Sequence, residues 1–350
     1  MKIGLYIVSS ILFIIAVAVA TYLINPGSYS FDILDIHLPK IPVAVWVALP
    51  VALLAIFSVI HMAFYGAKVF FANKKWRSDA NKLEEGIYWS LIKEPTTITY
   101  YHPEIEKSAS LLSFSTIEPK EEQSEQSSRL SSKLKDVLNV IYKIRKGEYV
   151  DLKKEKFAKH LSPDNEIVIE NEINRLNHDP KYALKILDFK DRYDERVINL
   201  ALDKLVETQD FYTIKKYGKE IGKERFFKLL QRVEKGEDIG FSKDMLLSFL
   251  EFYTLKCKDY FKIVNVTFKQ FDPDSNLELF KSLSAKDEDA MPAYLFLLFK
   301  YEMIEKAKEI LDEHPEDEFK AFRAFYLLKK GKHNYKLSDI VNEENACKKY

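Results

Sequence analysis

Residues 3–24, IGLYIVSSILFIIAVAVATYLI, and residues 41–63, IPVAVWVALPVALLAIFSVIHMA, decide how this chain reads. The first stretch carries no charged side chain. At 1.5 Å per residue it makes roughly 33 Å of helix, enough for a hydrocarbon core of about 30 Å. The second has His61 as its only titratable group, and its apolar character runs on to Phe71. Pro50 inside it removes one backbone donor and predicts a kink. Asn25-Pro26-Gly27-Ser28 is a turn signal, and a short extended run is expected near Ser30–Ile36. Two spans joined so closely form an antiparallel hairpin.

Working outward, the charges separate into two populations. Residues 1–71 contain only Lys2, Asp32, Asp35, Lys40 and Lys68, although the chain has 53 basic and 53 acidic residues in 350. The first 71 residues therefore read as a transmembrane hairpin, with spans at about 3–24 and 41–63, and the rest as polar protein. Lys68, Lys74, Lys75, Arg77 and Lys82 cluster behind the second span, which places both termini on the cytoplasmic side of the membrane. Lys74, Lys75, Trp76 and Arg77 have the aromatic-and-basic composition of membrane-interface anchors. The competing reading is a cleaved signal peptide, since Ala16-Val17-Ala18 and Ala18-Val19-Ala20 offer small-residue cleavage sites. The spans lack Asp, Glu, Lys and Arg, which argues against a proton relay or ion path made by the hairpin alone.

Residues 72–118 read as a juxtamembrane helix and an extended connector. Trp76, Leu83, Ile87 and Leu91 recur at helical spacing, and Pro95 stops the helix. Thr96-Thr97-Ile98-Thr99-Tyr100-Tyr101 is the strongest strand candidate, fitting an edge strand, a docking arm or an extended connector. Residues 119–133, PKEEQSEQSSRLSSK, offer almost no apolar surface to offset ordering entropy, and read as a flexible linker.

Residues 134–350 repeat helical periodicity almost without interruption, for example Leu134, Val137, Leu138, Ile141 and Ile144 on one face. No strand–helix alternation accompanies it, which argues against a parallel α/β sheet. The expected class is mainly α, a transmembrane hairpin followed by a repeat-like, solenoid cytoplasmic domain. Ala183-Leu184-Lys185-Ile186-Leu187 and Ala307-Lys308-Glu309-Ile310-Leu311 share an Ala-x-x-Ile-Leu core, which suggests stacked helix pairs. Glu305-Lys306-Ala307, Leu311 and Pro315 resemble the second helix of a tetratricopeptide repeat. The resemblance departs at Leu295, where that family has a small residue, and at Pro315, which falls about a turn early. At the front, Ile24-Asn25-Pro26, the Phe31-Asp32-Ile33-Leu34 run and the basic exit at Phe70–Leu83 resemble the lipopolysaccharide-assembly protein A family. That resemblance implies a cytoplasm-facing helper holding helical machinery at the inner membrane.

Motifs for chemistry are sparse. Gly218-Lys219-Glu220-Ile221-Gly222-Lys223-Glu224 has one residue too few between its glycines for a phosphate loop, and Glu224 stands where Ser or Thr would hold magnesium. Gly218 reads instead as a helix C-cap. The seven histidines show no metal-ligand spacing; His61 reads as an interfacial side chain, and His102-Pro103-Glu104 as a loop stop. Asp287, Glu288 and Asp289 read as helix N-caps. Cys257 and Cys347 are too few for a disulfide framework or a four-ligand zinc site, and an inert thiol is expected at each. No cofactor or small-molecule substrate is implied. The polar part balances 50 basic against 51 acidic residues, which leaves no excess for binding nucleic acid.

The 24 Phe and 20 Tyr are left to explain. Adjacent aromatics such as Phe211-Tyr212 and Phe325-Tyr326 cannot all face one core stripe. Phe322, Phe325 and Tyr326 are therefore the candidate partner-binding residues, the alternative being that they fill the core. The functional expectation is a non-enzymatic, membrane-anchored scaffold or assembly factor that binds proteins. The competing classes are an enzyme with a divergent site in the helical domain and an accessory subunit of a channel, motor or secretion complex.

Overall fold

A computed structural model describes residues 3–30, 32–33, 36–37, 39–120 and 129–348. Most of the residues expected to form the flexible linker lie outside this set, as do Lys2 and part of the Phe31–Leu34 run. Among the described residues the protein is mainly α, with 72% helix and 17 helices. Its chain divides into two compact units between Leu138 and Asn139.

In the first unit, α1 (Ile3–Ile24) and α2 (Val43–Leu91) are long apolar helices packed together. Both are long and apolar enough to cross a membrane. The turn between them closes locally: Asn25 Oδ1 accepts the Gly27 amide at 3.0 Å, and the Gly27 carbonyl accepts the Val43 amide at 2.9 Å. Beyond it β1 (Ser28–Tyr29) pairs antiparallel with β4 (Ile41–Pro42), and β2 (Asp32–Ile33) with β3 (Ile36–His37). Ala44 and Ala48 of α2 are buried, small side chains of the kind that let two helices approach. No residue of α1 is buried, and Leu23 and Ile24 are 78% and 85% exposed. An apolar surface of this extent is unusual for a soluble monomer.

The second apolar stretch and the polar helix behind it are one element. α2 is continuous for 49 residues and contains Pro50 without ending there. Thr96–Tyr101 forms no strand; it is an extended arm that returns along α2 and leads into α3 (Pro103–Ala109). A further helix, α4 (Ser132–Arg145), spans the division between the units.

The second unit stacks thirteen helices around one core: α5 (Glu166–His178), α6 (Tyr182–Asp188), α7 (Glu195–Thr208), α8 (Phe211–Lys215), α9 (Gly218–Glu234), α10 (Lys243–Leu250), α11 (Cys257–Gln270), α12 (Pro273–Ser284), α13 (Met291–Lys300), α14 (Ile304–Glu313), α15 (Lys320–Lys330), α16 (Leu337–Ile340) and α17 (Glu343–Ala346). Their starts are written into the sequence. Asn165, Asp194, Asp210, Ser242 and Asp272 each accept a backbone amide in the first turn of the helix they precede. Asp287 does the same for a short 3₁₀ turn, accepting the Asp289 amide at 3.0 Å.

Gly218 is not a C-cap. It opens α9 with its α-carbon against the ring of Phe252, where a Cβ would collide at 2.5 Å. The break comes four residues later at Gly222, whose φ of +72° only glycine adopts readily. Helices touch mainly their next and next-but-one neighbours, as in α5 with α7, α7 with α9, α9 with α11, and α11 with α13. Ala183 and Ala307, the small residues of the recurring motif, are both buried.

Candidate interaction surfaces

Helix α2 carries its last turns beyond the apolar stretch, and there Asp79 is the organising residue. Its side chain is fully buried. Oδ1 accepts the Tyr101 amide at 2.8 Å, and Oδ2 accepts the His102 amide at 2.9 Å and meets His102 Nδ1 at 2.6 Å. Burial opposes the charge on this carboxyl, but the two amides and the imidazole outweigh it and hold its pKa below the usual aspartate range. His102 is thus a partner of Asp79 rather than a simple loop stop.

Around this clamp the arm lies flat on the helix. The Trp76 ring sits 4.5 Å from the His102 ring, and Lys82 Nζ lies 4.6 Å from the centre of the exposed Tyr101 ring. Gly86 admits Leu112 and Tyr100, each of which would come within 3.3 Å of a Cβ. Ser90 Oγ donates to the Leu112 carbonyl at 3.0 Å, and the Ile117 amide donates to the Ser90 carbonyl at 3.1 Å. The four proposed anchors, Lys74, Lys75, Trp76 and Arg77, are all exposed at the start of this collar. It therefore presents cations and an indole where the apolar part of α2 gives way to polar helix. Periodicity located Trp76; no local signal pointed to Asp79, whose partners lie 22 and 23 residues away.

The aromatic candidates in the second unit are not where the sequence reading put them. Phe322 and Phe325 are 0% and 2% exposed. Both pack on Phe299, at ring-centre distances of 6.0 Å and 5.4 Å. They hold α15 against α13 and offer nothing to a partner. Their spacing of three residues already puts them on one helix face, the signature of a core stripe. Tyr326, one residue on, is half-buried. The pair at 211–212 divides more sharply: Phe211 is buried against Phe249, while Tyr212 is 79% exposed.

One titratable cluster stands out in this unit. The Arg175 guanidinium lies 3.5 Å from the centre of the Tyr182 ring and 4.7 Å from that of Tyr149. Tyr182 and Tyr193 share a hydroxyl hydrogen bond of 3.0 Å. Burial raises the Tyr182 phenol, helped by that bond, and burial also raises Glu172 despite Arg175 beside it. Glu172 Oε2 is buried with no hydrogen-bond partner. A separate cavity of about 270 Å³ is lined by other residues, among them Glu288, Asp289, His314 and Lys348, so the shifted groups and the concavity do not coincide. Among the described residues no three His, Cys, Asp or Glu side chains are placed to hold a metal ion.

The cysteines are not free thiols. Cys257 and Cys347 form a disulfide across 90 residues, which ties the start of α11 to the segment after α17. Two cysteines make no framework, yet they do make one staple, and only the tertiary fold brings them together.

Neither a protein-family profile, nor a curated protein, nor a solved structure matches this chain.

Proposed function

We propose that this protein is a membrane-anchored scaffold or assembly factor of a bacterial inner membrane, with the α1–α2 hairpin in the bilayer and the second unit presenting a protein-binding surface on the cytoplasmic side. The observation that carries this reading is the contrast in apolar burial. α1 has no buried residue, whereas the second unit encloses Phe211, Phe226, Phe249, Phe280, Phe322 and Phe325. Basic residues at 74, 75, 77 and 82 support the inward placement of the polar part. The next-but-one helix contacts and the two buried alanines support a repeat-like stack of helix pairs, as the tetratricopeptide resemblance implies.

With Phe322 and Phe325 in the core, the aromatics available to a partner are exposed ones such as Tyr212, Phe189 and Phe252, with Tyr326 half-available. Tethering raises the effective concentration for any partner already in the bilayer, so a modest surface suffices. The test is photo-crosslinking in native membranes from a probe at position 212, paired with a periplasm-only reporter fused to the C-terminus. Recovery of a membrane protein other than this chain, with the reporter silent, is the expected result. Recovery of this chain alone would overturn the scaffold reading, and an active reporter would overturn the sidedness.

A further inference from the structure

The disulfide lies in the wall of the 270 Å³ cavity, between the start of α13 and the loop from α14 to α15. That volume holds several water-sized groups. Both cysteines line the cavity; Cys257 is 8% exposed and Cys347 half-buried, so Cys347 is the more accessible residue of the two. Phe319, in the same wall, has φ +54° and ψ +32°, a left-handed backbone that is costly for a bulky side chain.

Apart from the disulfide, the segment is held by the apolar packing of α16 and α17 on α15 and α11. Among the described residues, the hydrogen bonds of residues 335–348 close within the segment. Asn342 caps Glu344 and Asn345, Asn345 Nδ2 donates to the Ile340 carbonyl at 2.8 Å, and the Lys336 amide donates to Asp339 at 3.2 Å. Its buried side chains are Leu337, Val341 and Ala346, with Ile340 and Cys347 partly buried against the same core. Beyond these apolar contacts, the covalent bond is what fixes it to α11.

We propose that Cys257–Cys347 is a thiol–disulfide exchange site that admits a small thiol through this cavity, and that its reduction releases residues 335–348. The thiolate of the small molecule attacks Cys347 Sγ and forms a mixed disulfide there. The Sγ–Sγ bond breaks, and its electron pair leaves on Cys257 Sγ. Cys257 is the first residue of a 14-residue helix, whose dipole favours a thiolate leaving group, and the nearby Asp259 carboxylate, which opposes it, is paired with Lys223 at 2.8 Å. A second small thiol then attacks the mixed disulfide, departs as the oxidised small-molecule disulfide and frees Cys347. Two thiols become one disulfide, two electrons enter the protein, and the two thiol protons end on Cys257 and Cys347. The direction of transfer follows the surrounding thiol pool. In a reducing compartment a protein disulfide is transient and redox-responsive rather than a permanent staple. The chemistry is independent of which partner the protein binds.

The test uses the full chain in detergent micelles, titrated with reduced and oxidised glutathione without denaturant. Free thiols are trapped with a maleimide that retards the protein on gels. Reversible conversion is expected, with the glutathione adduct found at Cys347. Amide exchange in residues 335–348 should rise by about tenfold on reduction while residues 195–234 stay unchanged, as for a local opening. Cys347→Ser should reproduce the exchange of the reduced protein, and a wild-type comparison under reduction guards against misfolding of that variant. A pair that reduces only in denaturant, an adduct confined to Cys257, or unchanged exchange at 335–348 after reduction would overturn the proposal. Sidedness is read by the separate reporter fusion, so failure there leaves this result standing.

Discussion

The hairpin and the helical unit treat the same residue types in opposite ways. Phe13 in α1 is 62% exposed, whereas Phe322 in α15 is enclosed between neighbouring rings. Each unit also holds an acidic side chain withdrawn from water. Asp79 has every contact a carboxylate needs, while Glu172 keeps an oxygen without one. The difference teaches that side-chain identity sets neither burial nor charge state; the surrounding medium and the partner groups do.

Paired substitutions put this contrast under strain. Phe322→Ala should destabilise the second unit by about 4 kcal/mol through lost transfer energy and a residual cavity, read as a lowered denaturant midpoint. Phe13→Ala should leave that midpoint unchanged. Equal losses would break the contrast. Leu54→Arg, at an exposed site in the apolar part of α2, should cost roughly 3 kcal/mol of membrane insertion. It is read as protein lost from the membrane fraction after alkaline washing. Tyr212→Arg, at a still more exposed site in the helical unit, should change stability by less than about 0.5 kcal/mol. If Leu54→Arg stays in the membrane like the wild type, the lipid assignment fails.

The two carboxylates should respond to pH with opposite signs. The depressed Asp79 pKa means that its contribution is present above the ordinary aspartate range and disappears as pH falls through the folded value. Asp79→Asn should therefore release the 96–102 arm, seen as faster amide exchange at neutral pH, with the difference from wild type shrinking in acid. The raised Glu172 pKa means that its contribution is full below the ordinary glutamate range and is lost as pH rises through the folded value. Glu172→Gln should then raise the melting temperature at neutral pH and leave it unchanged in acid. A neutral-pH loss for Glu172→Gln would show that Arg175 needs the charge. The smallest effect is expected at a cap, where Asp272→Ala should cost about 1 kcal/mol.

Much of the helical architecture was legible because its signals are local. Apolar residues at three- and four-residue spacing mark the buried faces, and Asp194, Asp210, Ser242 and Asp272 mark the starts. The long apolar stretches announced α1 and the first half of α2 in the same way. What escaped depends on distant partners. Periodicity could not join Cys257 to Cys347 or Asp79 to His102, since neither pair shares a helix. Thr96–Tyr101 has strand composition but pairs with no strand among the described residues, and the arm lies extended against a helix. The reading of Phe322 and Phe325 failed for another reason. Adjacent aromatics suggested a surplus, but Phe325 and Tyr326 divide between core and rim, and one ring of each pair is enough to fill the interior.

The unbroken run of α2 has a mechanical corollary. Its 49 residues extend about 74 Å as one helix, and beyond Pro50, where one backbone donor is missing, rotation of the apolar turns is carried through to Leu91. The azimuth of Trp76 and Asp79 is geared to that of the apolar segment. Removing a single residue between Phe71 and Trp76 would swing them by about 100° and draw them in by about 1.5 Å. The rod works as a crankshaft, and its phase is set by how many residues separate the oily end from the wet one.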